Sequence, residues 1–360
     1  MILYPECPEA ARDMIRSAAN EKKPVIPAGG GSHISRWAAV EQAKASVISC
    51  QKLKRVISVE PENLLAIVEA GMTPAEIRAV LEPANLYWPV SGLDRRSLGA
   101  IMAEGAISRE SMARGPMIDW ILGTTFIEPG GRLIRSGGRT LKNVSGYDLT
   151  RFQWEAWGTL GRSTAFILQC MPPPECSQIL EMNFSDGQSA AMAAENIIKA
   201  RIFPQSLVLK YQPSCWSLFI WLSGFAEYVE AQALAAAKEA GAEIYRKHDS
   251  AINFWNDRTL WSEKNGSSQW LASRQTLLDL AKDLEAMNTS VLITEADIDV
   301  GGSQAVLNIQ AETPEFLATL AAKGMRPRGP ALEGEIYRRL KKGLDPDDLF
   351  FPSQFFRFGT

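Results

Sequence analysis

Three consecutive prolines, Pro172 to Pro174, divide the sequence near its middle. Proline fixes φ and lacks a backbone N–H, so this run excludes a helix and holds the chain extended, as a connector between domains does. At 360 residues the chain is also longer than one ordinary compact domain. The sequence therefore predicts one domain over residues 1–172, a second over 173–330, and a C-terminal helix and tail over 331–360.

Short apolar runs punctuated by Gly or Pro predict strands in the first domain. They cover residues 54–59, 64–69, 120–127 and 132–135. Between them, Thr73-Pro74-Ala75-Glu76 places a capping threonine, a first-turn proline and an acidic residue ahead of an apolar stretch. This pattern predicts a short helix that ends before Pro83.

The second domain shows a different pattern, in which strands alternate with longer helices. Predicted strands cover 179–184, 206–211, 216–222 and 242–245, and predicted helices cover 189–200 and 226–240. This β-α-β-β-α-β order is typical of a ferredoxin-like unit. The expected fold class is α+β, with a further helix over 333–342 and no internal repeat visible in the sequence.

Charge and cysteine usage narrow the function classes. The formal net charge is -3 and the basic residues are scattered, so nucleic acid is not an expected partner. No apolar run approaches the roughly 20 residues of a spanning helix, which predicts no integral membrane segment and a cytoplasmic protein. The five cysteines form no C-x-x-C, so any iron–sulfur cluster must sit on another chain, and with two histidines no metal site is predicted.

Three glycine-bearing segments are candidates for binding a phosphorylated ligand. In the first, residues 25–33, an apolar strand leads into Ala28, Gly29, Gly30, Gly31, Ser32 and His33. Glycine lacks a Cβ and admits positive φ, so such a loop can bring backbone N–H groups against a diphosphate. An ordinary turn is the alternative interpretation, because the loop has neither the Walker nor the G-x-G-x-x-G spacing.

The second segment, residues 89–105, carries small residues that include Gly99, Ala100 and Ala103. They would let the backbone approach a flat or phosphorylated ligand, although helix packing through small residues is an equal alternative. The third segment, residues 119–164, contains the strings KNVSGYDL and GTLG. It carries the most specific pattern in the chain.

Residues 119–172 closely resemble the flavoprotein subunits of bacterial glycolate oxidase, especially its smaller FAD-binding subunit, a PCMH-type flavoprotein of the vanillyl-alcohol-oxidase superfamily. That family reads roughly D-x-V-L-G, then K-N-V-A-G-Y-D-L-x-R-L, then G-x-L-G and a following threonine. The matching positions are Asp119, Leu122, Gly123, Gly131, Lys142, Asn143, Val144, Gly146, Tyr147, Asp148, Leu149, Arg151, Gly158, Leu160, Gly161 and Thr164. The resemblance extends to residues 97–100, to the 25–33 loop and to the tail LDPDDLFFPSQF.

The resemblance implies a two-subdomain FAD-binding domain over 1–172, to which residues 331–360 return. The implied diphosphate loop is Ala28 to His33, and the residues implied to line the cofactor are Gly99, Ala100 and Ala103. The residues implied to contact adenine and ribose are Gly158, Thr159, Leu160, Gly161 and Thr164. Lys142, Asn143, Tyr147 and Asp148 are assigned no cofactor contact, and the favoured interpretation is that a buried Tyr147 and Asp148 tie the strand to the loop by hydrogen bonds.

Several positions depart from the family's pattern. Arg162 and Ser163 stand where the family has two aliphatic residues, Ala100 replaces a glycine, and Phe351 replaces an asparagine near the flavin. Ser32 shifts His33 out of the register in which related oxidases attach FAD to a histidine, so non-covalent FAD is expected. No H-x-G-D-G-N motif occurs, so the catalytic residues stay unknown, and His248 is interpreted as a solvated loop residue.

The resemblance implies an FAD-binding subunit of a glycolate, or other small 2-hydroxy-acid, dehydrogenase complex. The expected partners are a larger FAD subunit and an iron–sulfur subunit, through which the chain could be peripheral to the inner membrane. Two alternatives stay open at this point. One is a non-catalytic scaffold with weak or no FAD binding, and the other is a stand-alone FAD-linked alcohol oxidoreductase.

Overall fold

The computed structural model describes residues 2–30, 45–140, 147–213, 215–248, 251–258, 267–287, 293–309, 313–328 and 335–350. Within these residues the strands form three sheets of three, five and eight strands. The two smaller sheets are built from the first half of the chain and the largest from the second half. This mixture of helices and mainly antiparallel sheets confirms the predicted α+β class.

The three-stranded sheet is parallel and contains β1 (Ile2–Leu3), β3 (Ser46–Ser49) and β2 (Val25–Ala28) in that order. Helix α1 (Pro8–Asn20) begins with proline at its first position and buries Ala11, Ile15 and Ala18, which follow helical spacing. Phe350 packs into the same core, and the backbone N–H of Val25 donates to the carbonyl of Leu349 at 2.7 Å. The chain therefore comes back to its first sheet near its C-terminal end.

The five-stranded sheet is antiparallel, and its strands follow the order β4-β5-β8-β6-β7. These strands are β4 (Val56–Glu60), β5 (Leu65–Glu69), β6 (Ile121–Ile127), β7 (Leu133–Gly137) and β8 (Arg162–Gln169). The four strands predicted upstream of the prolines are thus confirmed within one to two residues at each end. Helices α2 (Pro74–Leu81), α3 (Leu98–Glu104), α4 (Ser111–Arg114) and α5 (Leu149–Phe152) lie between the strands in sequence.

The predicted helix start at Thr73 is also confirmed. The Thr73 hydroxyl accepts from the backbone N–H of Glu76, and the Glu76 carboxylate accepts from the backbone N–H of Thr73. Both halves of the capping box are therefore present, and two N–H groups that a helix start leaves unpaired are satisfied locally.

The eight-stranded sheet follows the order β12-β9-β11-β10-β14-β15-β13-β16, with antiparallel pairing throughout. Its strands are β9 (Cys176–Phe184), β10 (Ser206–Gln212), β11 (Cys215–Gly224), β12 (Arg246–His248), β13 (Ser267–Leu271), β14 (Ile293–Asp299), β15 (Gln304–Ile309) and β16 (Arg326–Pro327). The helices are α6 (Gly187–Lys199), α7 (Ala226–Ala240), α8 (Ala251–Arg258), α9 (Arg274–Met287), α10 (Pro314–Ala322) and α11 (Glu335–Leu344).

The first four strands form the predicted ferredoxin-like unit, β9-α6-β10-β11-α7-β12. The last strand, however, was predicted over residues 242–245 and is found at Arg246–His248. Ala242 and Ile244 pack against the core beneath the helices, so their apolar character serves that packing. Ladder pairing with β9 begins at Arg246, which makes the predicted position of this strand wrong.

The remaining four strands repeat the same arrangement as β13-α9-β14-β15-α10-β16. The two units meet where β10 pairs with β14, so that their second strands join them edge to edge. Helices α6, α7, α9 and α10 contribute to one apolar core on a single face of the sheet. The opposite face of the sheet is contacted by α8 and by the first domain.

Candidate functional site

The first and second glycine-bearing segments touch each other. Gly29 follows β2, and the Ser49 hydroxyl donates to its carbonyl at 2.8 Å. A Cβ added to Gly29 would lie 2.5 Å from Ser97 Oγ and 2.6 Å from Ala100 Cβ, closer than side chains ever approach. Only glycine therefore lets this loop rest on the start of α3.

The third segment closes against both of the others. A Cβ on Gly158, whose φ is +76°, would lie 2.8 Å from Pro27 Cγ in β2. The backbone N–H of Trp157 donates to the carbonyl of Ala103 at 2.7 Å, at the end of α3. Trp157 itself has φ +53°, a left-handed conformation that is strained for a large side chain.

The described predicted site residues therefore gather in one region around the end of β2, α3 and the loop before β8. The members differ in what they contact. Gly30 is exposed and a Cβ there would meet nothing within 4 Å. Gly99 instead packs inward on Ala70, whose carbonyl would lie 3.2 Å from an added Cβ. Gly31, Ser32 and His33 lie outside the described residues.

The remaining predicted residues are mostly held by the protein itself. Thr159 is fully buried and its hydroxyl donates to the carbonyl of Ala156 at 2.6 Å. Thr164 is buried in β8, where its hydroxyl donates to the carbonyl of Thr125 at 3.0 Å. Gly161 lies against Phe126, and Leu160 lines the cavity described below. These contacts fix the loop before β8 in place.

Arg162 begins β8 and reaches beneath the glycine loop. Its side chain is buried, and Nη1 donates to the carbonyls of Ile48 and, at 3.5 Å, of Ala28. Its Nε and Nη2 are buried and have no hydrogen-bond partner in the described part of the chain. Burial lowers the pKa of Arg162. The sequence identified this residue as a departure from the family's pattern but did not predict its position.

A cleft opens between the two domains beside the end of α3. It contains a cavity of about 220 Å³ lined by Glu104, Phe152, Trp154, Glu155, Ala156, Trp157, Leu160, Leu271, Arg326, Arg328 and Tyr337. A second cavity of about 350 Å³ shares Glu155, Leu271 and Arg326 with it. The lining residues from Phe152 to Leu160 belong to the third glycine-bearing segment, but those from the second domain carry no motif, so the sequence did not predict the cleft.

Arg328 and Tyr337 are half-buried polar residues of this cleft. Arg328 Nη2 donates to the carbonyls of Glu104 at 3.2 Å and Gly105 at 2.5 Å, where a cation complements the negative end of the helix dipole. Burial lowers the pKa of Arg328 and raises that of Tyr337 to about 12. Arg326 is exposed and pairs with no carboxylate among the described residues.

The domains are joined nearby by a buried ion cluster. Arg109, in the segment after α3, donates to Asp297 and Asp299 of β14 at 3.0 Å each. Its guanidinium also lies 4.9 Å from the centre of the Trp255 ring, a cation–π contact. Burial raises the pKa of Asp299, while the two carboxylates raise that of Arg109 despite its burial.

A second buried pair lies next to Arg109. The Tyr87 hydroxyl donates to Glu110 Oε1 at 2.6 Å, and both residues are buried. Burial raises the pKa of Glu110 to about 7, although the hydrogen bond from Tyr87 acts to lower it. This carboxyl group therefore titrates near neutral pH.

His248 lies in β12, the outermost strand of the large sheet, and its Nε2 is 2.8 Å from Glu181 Oε2. The interpretation of His248 as a solvated loop residue is wrong, because strand pairing with β9 half-buries it. In the described part of the chain, no three His, Cys, Asp or Glu side chains are arranged to hold a metal ion. None of the helices described there has the length and apolar character to span a membrane.

Comparison with known proteins identifies the first domain. Residues 1–137 match the family described as FAD binding domain. Residues 1–137 are therefore an FAD-binding domain. A solved structure of alkyldihydroxyacetonephosphate synthase superposes on 98% of this chain and 76% of its own, with a TM-score of 0.75 and 16% identity. At that identity the likeness concerns the fold, and it includes the second domain as well as the FAD-binding domain.

Curated relatives are matched over very different shares of their own length. Glycolate oxidase subunit GlcE of Escherichia coli is 24% identical over 365 residues, which cover 97% of both chains. Glycolate oxidase subunit GlcD of Bacillus subtilis is 25% identical over 215 residues, 59% of this chain and 46% of that protein. A mitochondrial D-lactate dehydrogenase of Arabidopsis thaliana matches over 34% of its length. The chain thus spans less than half of these last two relatives.

FAD is the cofactor of the FAD-binding domain, and the residues present fit it. The cradle between Gly29, Ser97 and Ala100 is one that a Cβ would fill. The buried Arg162 beneath this loop holds N–H groups without partners, which suits an anionic ligand. Gly29 of the predicted diphosphate loop and Ala100 of the predicted lining residues meet at this cradle.

Proposed function

We propose that this chain is the FAD-holding subunit of a complex that oxidises a small 2-hydroxy acid such as glycolate or D-lactate. The observation that carries the proposal is the meeting of the three glycine-bearing segments, through Gly29 on Ala100 and Gly158 on Pro27, beside the interdomain cleft. The FAD-binding domain supplies the cofactor site, and the second domain closes one side of it.

The charges of the cleft support a carboxylate ligand. Arg326 borders both cavities and has no carboxylate partner among the described residues, while Arg328 stands behind it on the carbonyls at the end of α3. Trp154 and Trp157 provide apolar walls, which exclude water and strengthen a charge-assisted hydrogen bond. In this proposal Arg326 binds the substrate carboxylate.

The position of the histidines decides which subunit we expect to abstract the substrate proton. His248, the one imidazole of the described residues, belongs to the outermost strand, and neither it nor Glu110 lines either cavity. Abstraction of a proton from a hydroxy acid ordinarily uses a base that titrates near neutral pH. We assign that step to a larger FAD subunit, and onward electron transfer to an iron–sulfur subunit.

Bound FAD supplies an acceptor for the two electrons of the alcohol, and this chain's residues hold and orient it. Similarity to the glycolate oxidase subunit GlcE along 97% of both chains supports a subunit role, since that relative is also a subunit by name. In this proposal the complex works in the cytoplasm and reaches the inner membrane only through its partners.

Anaerobic reduction of the flavin tests the proposal. The FAD-loaded chain is mixed with glycolate or D-lactate, alone and as the complex recovered by an affinity tag from its native host. We expect flavin bleaching in the complex and none in the isolated chain, with a larger flavoprotein and an iron–sulfur protein co-purifying. Bleaching of the isolated chain at the same rate would instead support a stand-alone oxidoreductase, and a chain that takes up no FAD would support a scaffold.

A further inference from the structure

The buried guanidinium of Arg162 lacks the counter-charge that the other fully buried arginine possesses. Arg109 is matched by two carboxylates and an aromatic ring. Arg162 has no carboxylate within salt-bridge distance among the described residues, and two of its nitrogens have no partner. The nearby thiol of Cys50 is directed to the carbonyl of Ala70 at 3.5 Å and does not satisfy them.

An arginine in this state cannot escape the cost of burial by losing its proton, because a guanidinium stays charged at any pH a protein meets. A buried, uncompensated charge destabilises the fold unless something neutralises it. The neutral carbonyls of Ala28 and Ile48 satisfy one nitrogen and supply no charge. Among the described residues no group supplies the missing negative charge, so an anion that arrives with a ligand is the natural partner.

The position of Arg162 identifies the anion. Its guanidinium lies against the carbonyl of Ala28, the residue before Gly29, and Gly29 rests on Ser97 and Ala100. Arg162 itself follows Gly161, so the side chain links the third glycine-bearing segment to the first. The ligand of this domain, FAD, carries its two negative charges on the diphosphate.

We propose that Arg162 binds the diphosphate of FAD from beneath the glycine loop and supplies its counter-charge. The backbone N–H groups of Gly29 and Gly30 and the guanidinium fork then share the phosphate oxygens, a pairing for which arginine geometry is well suited. This assignment goes beyond FAD binding by the domain, because it names a side-chain cation at a position where the family's pattern has an aliphatic residue.

Two other roles for Arg162 predict different behaviour. As a structural clamp it would hold β8 to β3 through the carbonyl of Ile48, and its loss would destabilise the protein without ligand. As an adenine contact it would matter equally for adenosine, which has no phosphate. The diphosphate role predicts that removing the charge stabilises the ligand-free protein. It also predicts that only ligands with a phosphate lose affinity.

The test compares wild type with Arg162→Leu, Arg162→Lys and the control Arg339→Leu. Arg339 is an exposed arginine whose side chain is 78% accessible, so its loss repeats the charge change away from the site. Melting temperatures are measured without ligand, and dissociation constants are measured by calorimetry for FAD, ADP and adenosine. FAD binding is repeated at high ionic strength.

We expect Arg162→Leu to lower the affinity for FAD and for ADP about 10- to 100-fold, which is the effect of losing a charged hydrogen bond. Adenosine affinity should be unchanged, the ligand-free melting temperature equal or higher, and the salt dependence of FAD binding smaller. The FAD affinity of Arg162→Lys should lie between those of wild type and Arg162→Leu. Arg339→Leu should match wild type in all of these measurements.

Three results would overturn the proposal: unchanged FAD affinity in Arg162→Leu, a lowered ligand-free melting temperature, or an equal loss for adenosine. Should Arg162→Leu fail to fold, the clamp role is correct and the proposal is wrong. A wild-type chain that binds no FAD contradicts the cofactor assignment itself, which is a separate outcome.

Discussion

The two domains bury charge in different ways. The core of the large sheet is apolar, and its two buried carboxylates, Asp297 and Asp299, both lie on the face that meets Arg109 of the FAD-binding domain. The FAD-binding domain buries several charged residues, which include Glu69, Glu110, Glu128 and Arg162. Glu69 and Glu128 pair with exposed arginines, whereas Arg162 lies beneath the glycine loop without a carboxylate partner among the described residues. Because buried charges are costly unless they are matched, the second domain uses its buried carboxylates for docking, and the first leaves one cation unmatched at its predicted cofactor site.

Backbone strain is concentrated in the loop before β8. This loop holds two non-glycine residues, Glu155 and Trp157, at positive φ, and it contacts both α3 and β2. In the described part of the second domain, Arg201 and Ser303 also have positive φ, each as an isolated residue. Strained backbone persists only where surrounding contacts enforce it, and such sites are often functional.

The largest expected effect comes from removing the docking cation. Arg109→Leu leaves Asp297 and Asp299 buried without a partner, and we expect it to lower the free energy of unfolding by about 3–5 kcal/mol. Urea denaturation followed by tryptophan fluorescence measures this. Arg109→Leu combined with Asp297→Asn and Asp299→Asn should recover most of the loss, since no unpaired charge remains. A cost below about 1 kcal/mol for Arg109→Leu alone would show that the cluster does not join the domains.

The pH dependence of stability tests the charge that the FAD-binding domain buries. Burial raises the pKa of Glu110 from 4.5 to about 7, so the folded protein holds this proton more tightly than the unfolded chain. The stabilisation that the protonated Glu110 provides is complete below pH 4.5. As the pH rises to about 7 this stabilisation is lost, and the free energy of unfolding falls by up to roughly 3 kcal/mol. Glu110→Gln cannot ionise and should flatten the profile over this range. Parallel profiles for the two proteins would contradict the assignment.

The glycine loop offers a matched pair of substitutions. Gly29→Ala places a Cβ 2.5 Å from Ser97 Oγ, whereas Gly30→Ala meets nothing within 4 Å. We expect Gly29→Ala to destabilise the ligand-free protein by about 1–3 kcal/mol through overpacking, with Gly30→Ala close to wild type. Thermal unfolding without ligand makes the comparison. Equal melting temperatures for the two variants would mean that the loop does not rest on α3.

The smallest effect should come from the capping box of α2. Thr73→Ala removes the acceptor for the Glu76 backbone N–H and should cost about 1 kcal/mol. FAD affinity should not change, because α2 contributes no residue to the predicted site. A weaker FAD affinity in this variant would show that the site depends on the whole domain rather than on its three segments.

Local signals explain what the sequence could predict. The Thr73 capping box, the strands of the five-stranded sheet and the first ferredoxin-like unit depend on short-range patterns, and all were found within a few residues. The strand predicted at 242–245 was misplaced because Ala242 and Ile244 are apolar for packing against the helices. A pattern of apolar residues indicates that a segment is buried. Pairing in a strand is only one of the reasons why a segment is buried.

Contacts between distant segments could not be predicted in this way. The second ferredoxin-like unit repeats the first without visible sequence similarity, and the docking of Arg109 on Asp297 spans 188 residues. The cleft likewise brings Trp157, Arg326 and Tyr337 together from three parts of the chain. The sequence identified Arg162 as unusual, but its lack of a counter-charge became visible only in three dimensions.

Hydrogen–deuterium exchange with and without FAD tests the central claim most directly, namely that three separate glycine-bearing segments form one cofactor site. Added FAD should slow the exchange of backbone amides near Gly29, in α3 and in the loop before β8 together, and leave the ferredoxin-like units largely unchanged. Protection confined to one of these segments, or no protection at all, would contradict the account.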